Sequence, residues 1–160
     1  RHHGRVARQR SAKPCTAVRI RLMPQLSNKK TRILMTNVLE KFVQDIKANV
    51  PGFIAVSVTE VNSGVSYIAS SALPDFDPNL ASAYNLEVVK AKMKALEILG
   101  LAGKEKIQDI LFTLTNQIHV IDIAPNGNYF VYLVVDSSKA NIGITRSLLA
   151  RYKKDLQSIF

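Results

Sequence analysis

The sequence predicts an α+β domain with three layers, α/β/α, built on an antiparallel sheet of about five strands, its elements in the order α-β-β-α-β-β-β-α. Three observations carry this. Three stretches repeat apolar residues at helical spacing, and between them lie runs of strand length with β-favouring residues. Those runs follow one another with turn residues at their joins, which makes sequence neighbours sheet neighbours. One run, YFVYLVV at 129–135, is apolar at both parities and therefore belongs at the centre of a sheet covered on both faces.

Taken in order, the first helix starts near Thr31, carries Met35, Leu39, Phe42, Val43, Ile46 and Val50 on one face, and stops at Pro51-Gly52. Residues 53–61 alternate Ile54, Val56 and Val58 with Ala55, Ser57 and Thr59, and Asn62-Ser63-Gly64 turns the chain into VSYIASS, giving a hairpin. In the loop LPDFDPN, Asp77 or Asn79 is placed to cap the second helix, Pro78 suits its first turn, and Gly100 and Gly103 bracket its end. Three strands follow at 107–115, 118–124 and 129–136. The first buries mainly Ile110, Phe112 and Leu114, and Asn126-Gly127 supplies the positive φ angles of a tight turn between the other two. From about Ala140 a last helix sets Ile142, Thr145, Leu149, Tyr152, Leu156 and Phe160 on one side.

The second helix, residues 79–101, is apolar on two sides. Leu80, Tyr84, Val88, Ala91, Ala95, Ile98 and Leu99 form a stripe suited to packing on the sheet. Roughly opposite run Leu86, Val89, Met93 and Leu96 at the spacing of a short coiled-coil seam, with Glu87, Lys90, Lys94 and Glu97 confined to a narrow polar strip. A second copy of the protein is the simplest cover for the second stripe, which makes Leu86, Val89, Met93 and Leu96 the expected dimer interface and the four charged residues its partner-binding rim. The alternative is that loops or the first helix of the same chain cover it.

At 160 residues and 47% hydrophobic content the chain is sized for one domain with a real core. Its net charge of +10 is unevenly placed: nine of the 22 basic side chains fall within residues 1–30, which hold no acidic one, leaving 13 bases against 12 acids in the rest. Residues 1–22 therefore read as a disordered basic arm, whether leader or tag, targeting sequence, or a tail for an acidic partner, and residues 23–160 as the domain. The domain itself is nearly neutral, so a phosphate-tracking groove and a nucleic-acid partner are not indicated. Cys15 is the only cysteine, which excludes an internal disulfide and makes a reducing, cytoplasmic setting the default. No apolar run approaches the ~18 residues of a membrane span.

Candidate chemistry is sparse. Asp75 and Asp77 are close enough in sequence to act as an acid/base pair, but a capping loop explains them better. His119 lies in a strand among Ile118, Val120 and Ile121 and, as the only histidine outside the arm, has no partner for a metal site, so a structural role is expected. Asp136 stands ahead of the last helix, where a carboxylate caps more readily than it binds a cation. No phosphate loop, dinucleotide fingerprint, nucleophile elbow or zinc protease motif is present, so no catalytic residue, cofactor or metal is assigned.

The stretch NYFVYLVVDSSKANIGITRSLLARYKKDL, an apolar strand ending in Asp136, a polar turn through Ala140-Asn141 and a closing amphipathic helix, resembles the Roadblock/dynein light chain family. PGFIAVSVTEVNSGVSYIASS looks like that family's first hairpin, and the order of elements agrees from about Thr31 onward. The resemblance implies a non-catalytic homodimer whose sheets join edge to edge and whose second helices pack together, serving as a platform for a Ras-like small GTPase or for a motor or signalling complex. A profilin-like or PAS-like sensor of a small ligand is the alternative; it should enclose a polar-lined cavity, where an adapter has a filled core and an exposed apolar patch.

Overall fold

The computed structural model describes residues 19–20, through their backbone pairing, and 29–160. Its elements are β1 (Arg19–Ile20), α1 (Lys29–Asn49), β2 (Phe53–Glu60), β3 (Ser66–Ser71), α2 (Pro78–Ile98), β4 (Asp109–Thr113), β5 (Gln117–Ile123), β6 (Tyr129–Asp136) and α3 (Ile142–Gln157). The five longer strands form an antiparallel sheet, and β1 extends it at one edge to give the order β1-β3-β2-β6-β5-β4. Most of the arm read at 1–22 lies outside the described residues; Arg19 and Ile20 are described, and they pair with Ala69 and Ile68 of β3.

The alternation of β6 sorts the core into two layers. Tyr129, Val131, Leu133 and Val135 face α1 and α3, joining Met35, Leu39, Phe42, Val43 and Ile46 of α1 and Leu149, Tyr152 and Leu156 of α3. Phe130, Tyr132 and Val134 face the other way and join Leu86 and Val89 of α2 with Ile54, Ile121 and Ile123. Both faces of the strand are thus dry, as its continuous apolar run requires. Phe160 closes the first layer by stacking on Tyr67, with ring centroids 4.4 Å apart, and leaning on Tyr129 at 4.7 Å.

Local chemistry fixes the joints. Asp77 accepts from the backbone N–H groups of Asn79 and Leu80 at the start of α2, with Pro78 in the first turn. At the other end Gly100 takes φ +67°, Leu101 N–H reaches Leu96 O and Gly100 N–H reaches Glu97 O, the pair of bonds that ends a helix on a left-handed glycine.

Three expectations need correction. In the β5–β6 turn only Gly127 adopts positive φ, at +73°; Asn126 does not, and its side chain instead accepts from Asn128 N–H, making a longer turn than a two-residue one. Leu114 is exposed, because β4 ends at Thr113 and only Ile110 and Phe112 lean on the α2 layer. Asp136 does not cap α3: it accepts from the backbone N–H and hydroxyl of Ser138, and Asn141 caps the helix by accepting from Ile144 N–H. Five residues separate Asp136 from the helix, too far for its carboxylate to reach the first-turn amides, whereas Asn141 immediately precedes it.

Candidate interaction surface

Helix α2 lies over β2 and β3, on the side of the sheet opposite α1 and α3. The line expected to meet a second copy is the one that turns inward. Val89 is 0% exposed, Leu86 is buried beside it, Met93 packs on the same cluster and Leu96 is half-buried. Leu86 also fills the space beside Gly64 in the β2–β3 turn, where a Cβ would stand 3.0 Å from its Cδ2. The assignment of Leu86 and Val89 to an intermolecular interface is therefore corrected: they are the protein's own core.

The physical reason lies in the sheet. On this side β2 presents Ser57, so the helix face laid on it must carry a hydrogen-bonding group at the right place. The inward line supplies one at its N-terminal end: the Ser82 hydroxyl bonds to that of Ser57, both side chains being buried. The stripe of Leu80, Val88, Ala91, Ala95, Ile98 and Leu99 offers no such groups, and Tyr84 is too bulky for the close approach that two serines permit.

That second stripe faces outward. Leu80 is 58% exposed, Tyr84 73%, Ile98 76% and Leu99 68%, with Ala91 exposed among them and Val88 and Ala95 half-buried. Single exposed apolar residues are ordinary; four large ones along one helix face, roughly 27 Å from Leu80 to Ile98 at the usual helical rise, form a patch of the kind that marks an interaction site. Glu87, Lys90, Lys94 and Glu97 are all exposed, and Lys94 donates to Glu97 at 2.8 Å, which raises the lysine pKa.

Other polar clusters have structural work. His119 sits beneath the start of α2, with Nδ1 3.0 Å from the Tyr132 hydroxyl, Nε2 3.0 Å from Gln117 Oε1 and the Phe76 ring edge-on above it. Burial lowers its pKa from the ordinary 6.5. A histidine with a lowered folded-state pKa holds the native state back from protonation, so its contribution is fully present above pH 6.5 and is lost as pH falls toward the folded value. Stability measured by urea denaturation should therefore drop on acidification below pH 6.5, and His119→Gln should flatten that slope. An unchanged slope would mean the ring does not titrate with folding. Asp75 is exposed in the loop before α2 and Asp77 is the helix cap. Among the described residues no three His, Cys, Asp or Glu side chains are grouped as metal ligands, and no helix is long and apolar enough to cross a membrane.

On the opposite side of the sheet α1 and α3 flank a groove of about 610 Å³ lined by Val38, Lys41, Phe42, Asp45, Arg151 and Tyr152 among others. Arg151 covers the Tyr152 ring at 4.9 Å and bonds its hydroxyl, so two of the groove's lining side chains are held to each other.

No family model matches the chain, and no curated protein matches it in sequence. Solved structures do. The chain is similar to Myxococcus xanthus MglB with a TM-score of 0.65 at 12% identity, covering 84% of this chain and 92% of that one. A second MglB structure, described with a tetrameric arrangement, gives a TM-score of 0.62 at 18% identity over 86% and 96% of the two chains. A Roadblock/LC7 domain from Streptomyces avermitilis gives 0.60 at 13% identity over 76% and 92%. The fold is Roadblock-like, as the strand-turn-helix pattern at the C-terminal end of the sequence suggested.

Proposed function

We propose that the protein is a non-catalytic, cytoplasmic adapter that works as a homodimer and regulates a Ras-like small GTPase, or a motor or signalling complex built around one. The observation that carries this reading is the outward face of α2: a long apolar patch over two fully packed core layers. Filled layers fit an adapter better than a ligand sensor, which needs an enclosed cavity. The Roadblock-like fold supports the same reading, and the tetrameric arrangement described for one similar MglB structure is an instance of self-assembly on this fold.

The patch is self-complementary. If two copies of α2 cross antiparallel about a two-fold axis near Ala91, Tyr84 of one meets Ile98 of the other, and Glu87 of one stands opposite Lys94 of the other. Ala91 is small enough at the axis to let the helices approach. Burying an apolar side chain contributes roughly 1.5–3 kcal/mol, so four on each copy can offset an association cost of about 4–15 kcal/mol. Glu87, Lys90, Lys94 and Glu97 then border the paired helices as a charged rim, which tunes partner encounter more than holding strength.

The test uses wild type and a Tyr84→Glu, Ile98→Glu double variant, with candidate small GTPases of the same organism loaded with GDP or a non-hydrolysable GTP analogue. Wild type should be dimeric by light scattering and bind one nucleotide state preferentially; the variant should be a folded monomer with binding weakened at least tenfold. Absence of binding in both nucleotide states sinks the GTPase reading, and tight capture of a small metabolite would favour the sensor.

A further inference from the structure

The two edges of the sheet are protected differently. At the β4 edge Asp109 is charged and clasped by Arg146 through two bonds of 2.8 Å. The β3 edge, SYIASS, carries no charge and no proline, and its second half is small: Ala69, Ser70, Ser71. A flat, uncharged edge strand is a template for pairing with another chain unless something covers it. Here the cover is the chain's own β1, two residues long, opposite Ile68 and Ala69. Those two residues are the middle of β3, Ser66–Ser71, where the axis would fall if β3 paired antiparallel with the β3 of a second copy. The same edge flanks the β2–β3 region over which α2 presents its apolar patch.

We propose that Arg19–Ile20 is a self-supplied strand that occupies the outer edge of β3 in competition with a second copy, whose sheet the resemblance noted above would join to this one edge to edge. This rests on the dimer reading above. A two-residue strand forms few ladder bonds, so it is displaceable by a six-residue one; being tethered, it nevertheless competes at the high effective concentration of an intramolecular segment. The cap therefore weakens dimerisation without preventing it, and anything that draws Arg19–Ile20 away from the sheet strengthens the dimer.

The experiment measures the dimer dissociation constant by sedimentation equilibrium for the full chain and for Arg19→Pro with Ile20→Pro, which removes both N–H donors of β1. The double proline variant should dimerise about tenfold more tightly, equivalent to about 1.4 kcal/mol, the size of one or two net backbone hydrogen bonds. Arg19→Gly with Ile20→Gly, which weakens β1 while leaving its donors in place, should tighten the dimer by less and serves if the prolines disturb folding. Hydrogen exchange on the Tyr84→Glu, Ile98→Glu monomer should show protection at the outward-pointing amide of Ile68 or Ala69 that the prolines abolish. An unchanged or weaker constant, with wild type dimeric and the α2 variant monomeric, overturns the cap and leaves the dimer standing. If neither wild type nor proline variant associates, both readings fall together.

Discussion

Val89→Lys with Met93→Glu should unfold the domain rather than release a folded monomer. Val89 is 0% exposed in the layer between α2 and the sheet, among Phe130, Tyr132 and Val134, and a lysine there must either bury its charge or pull the helix away. The carboxylate that Met93→Glu introduces one helical turn on could meet it only by leaving water as well, and a buried pair recovers its desolvation only in part. Paired or not, burying that charge costs several kcal/mol, and losing the valine packing adds to that, against a total stability of about 5–15 kcal/mol for an ordinary domain. Tyr84→Lys one turn away is the control. Its side chain is 73% exposed, and an exposed substitution usually stays within about 0.5 kcal/mol of wild type in the monomer. Circular dichroism and urea titration, read at protein concentrations too low for self-association, separate the two. A Val89→Lys, Met93→Glu chain that melts like wild type would return this stripe to the surface.

The contrast between those two positions shows what the sequence made legible. Periodicity identified all three helices, and the two-sided run of β6 placed it centrally, because burial on both faces leaves no polar parity to read otherwise. Periodicity could not say which side of α2 turns inward, since both stripes are apolar and hydrophobicity alone does not distinguish them. The deciding signal was polar: Ser82 on one side of the helix matches Ser57 on the sheet, a correspondence visible only once the strands are in register. The candidate patch was therefore present in the sequence as residues but assigned to the wrong layer. Strand β1 was not legible at all, because two residues in a highly basic stretch carry no period and their pairing depends on a β3 edge far along the chain. Asp136 misled for a simpler reason: a carboxylate near a helix start suggested a cap, and the nearer asparagine took that place.

Lys153→Met should cost the fold more than an exposed lysine would suggest. Asp109 and Asp122 are cross-strand neighbours on β4 and β5, and α3 meets each with a cation: Arg146 holds Asp109, while Lys153 donates to Asp122 at 2.6 Å and to Ile123 O at 3.3 Å. Asp122 is buried, and burial raises its pKa despite the opposing pull of Lys153, with Asp109 adding to the rise. A carboxyl with a raised folded-state pKa contributes stability that is complete below its ordinary value near 3.8 and is lost as pH rises through the folded value. Ionised Asp122 is thus a cost the lysine only partly offsets. Removing the lysine leaves that charge unpaired, a loss of about 3 kcal/mol at neutral pH, the low end for breaking a buried pair because Lys153 still reaches solvent. The variant should also raise the Asp122 pKa further, so the gap from wild type should shrink on acidification as protonation removes the unpaired charge. Asp122→Val combined with Lys153→Met should recover most of the loss, because apolar packing between β5 and α3 replaces a pair whose desolvation is incompletely recovered. Urea midpoints for the three variants at pH 4 and pH 7 test this. A neutral-pH midpoint for Lys153→Met equal to that of wild type, or a gap that widens in acid, would show that the pair is solvated and that α3 is held in place by Leu149, Tyr152 and Leu156 alone.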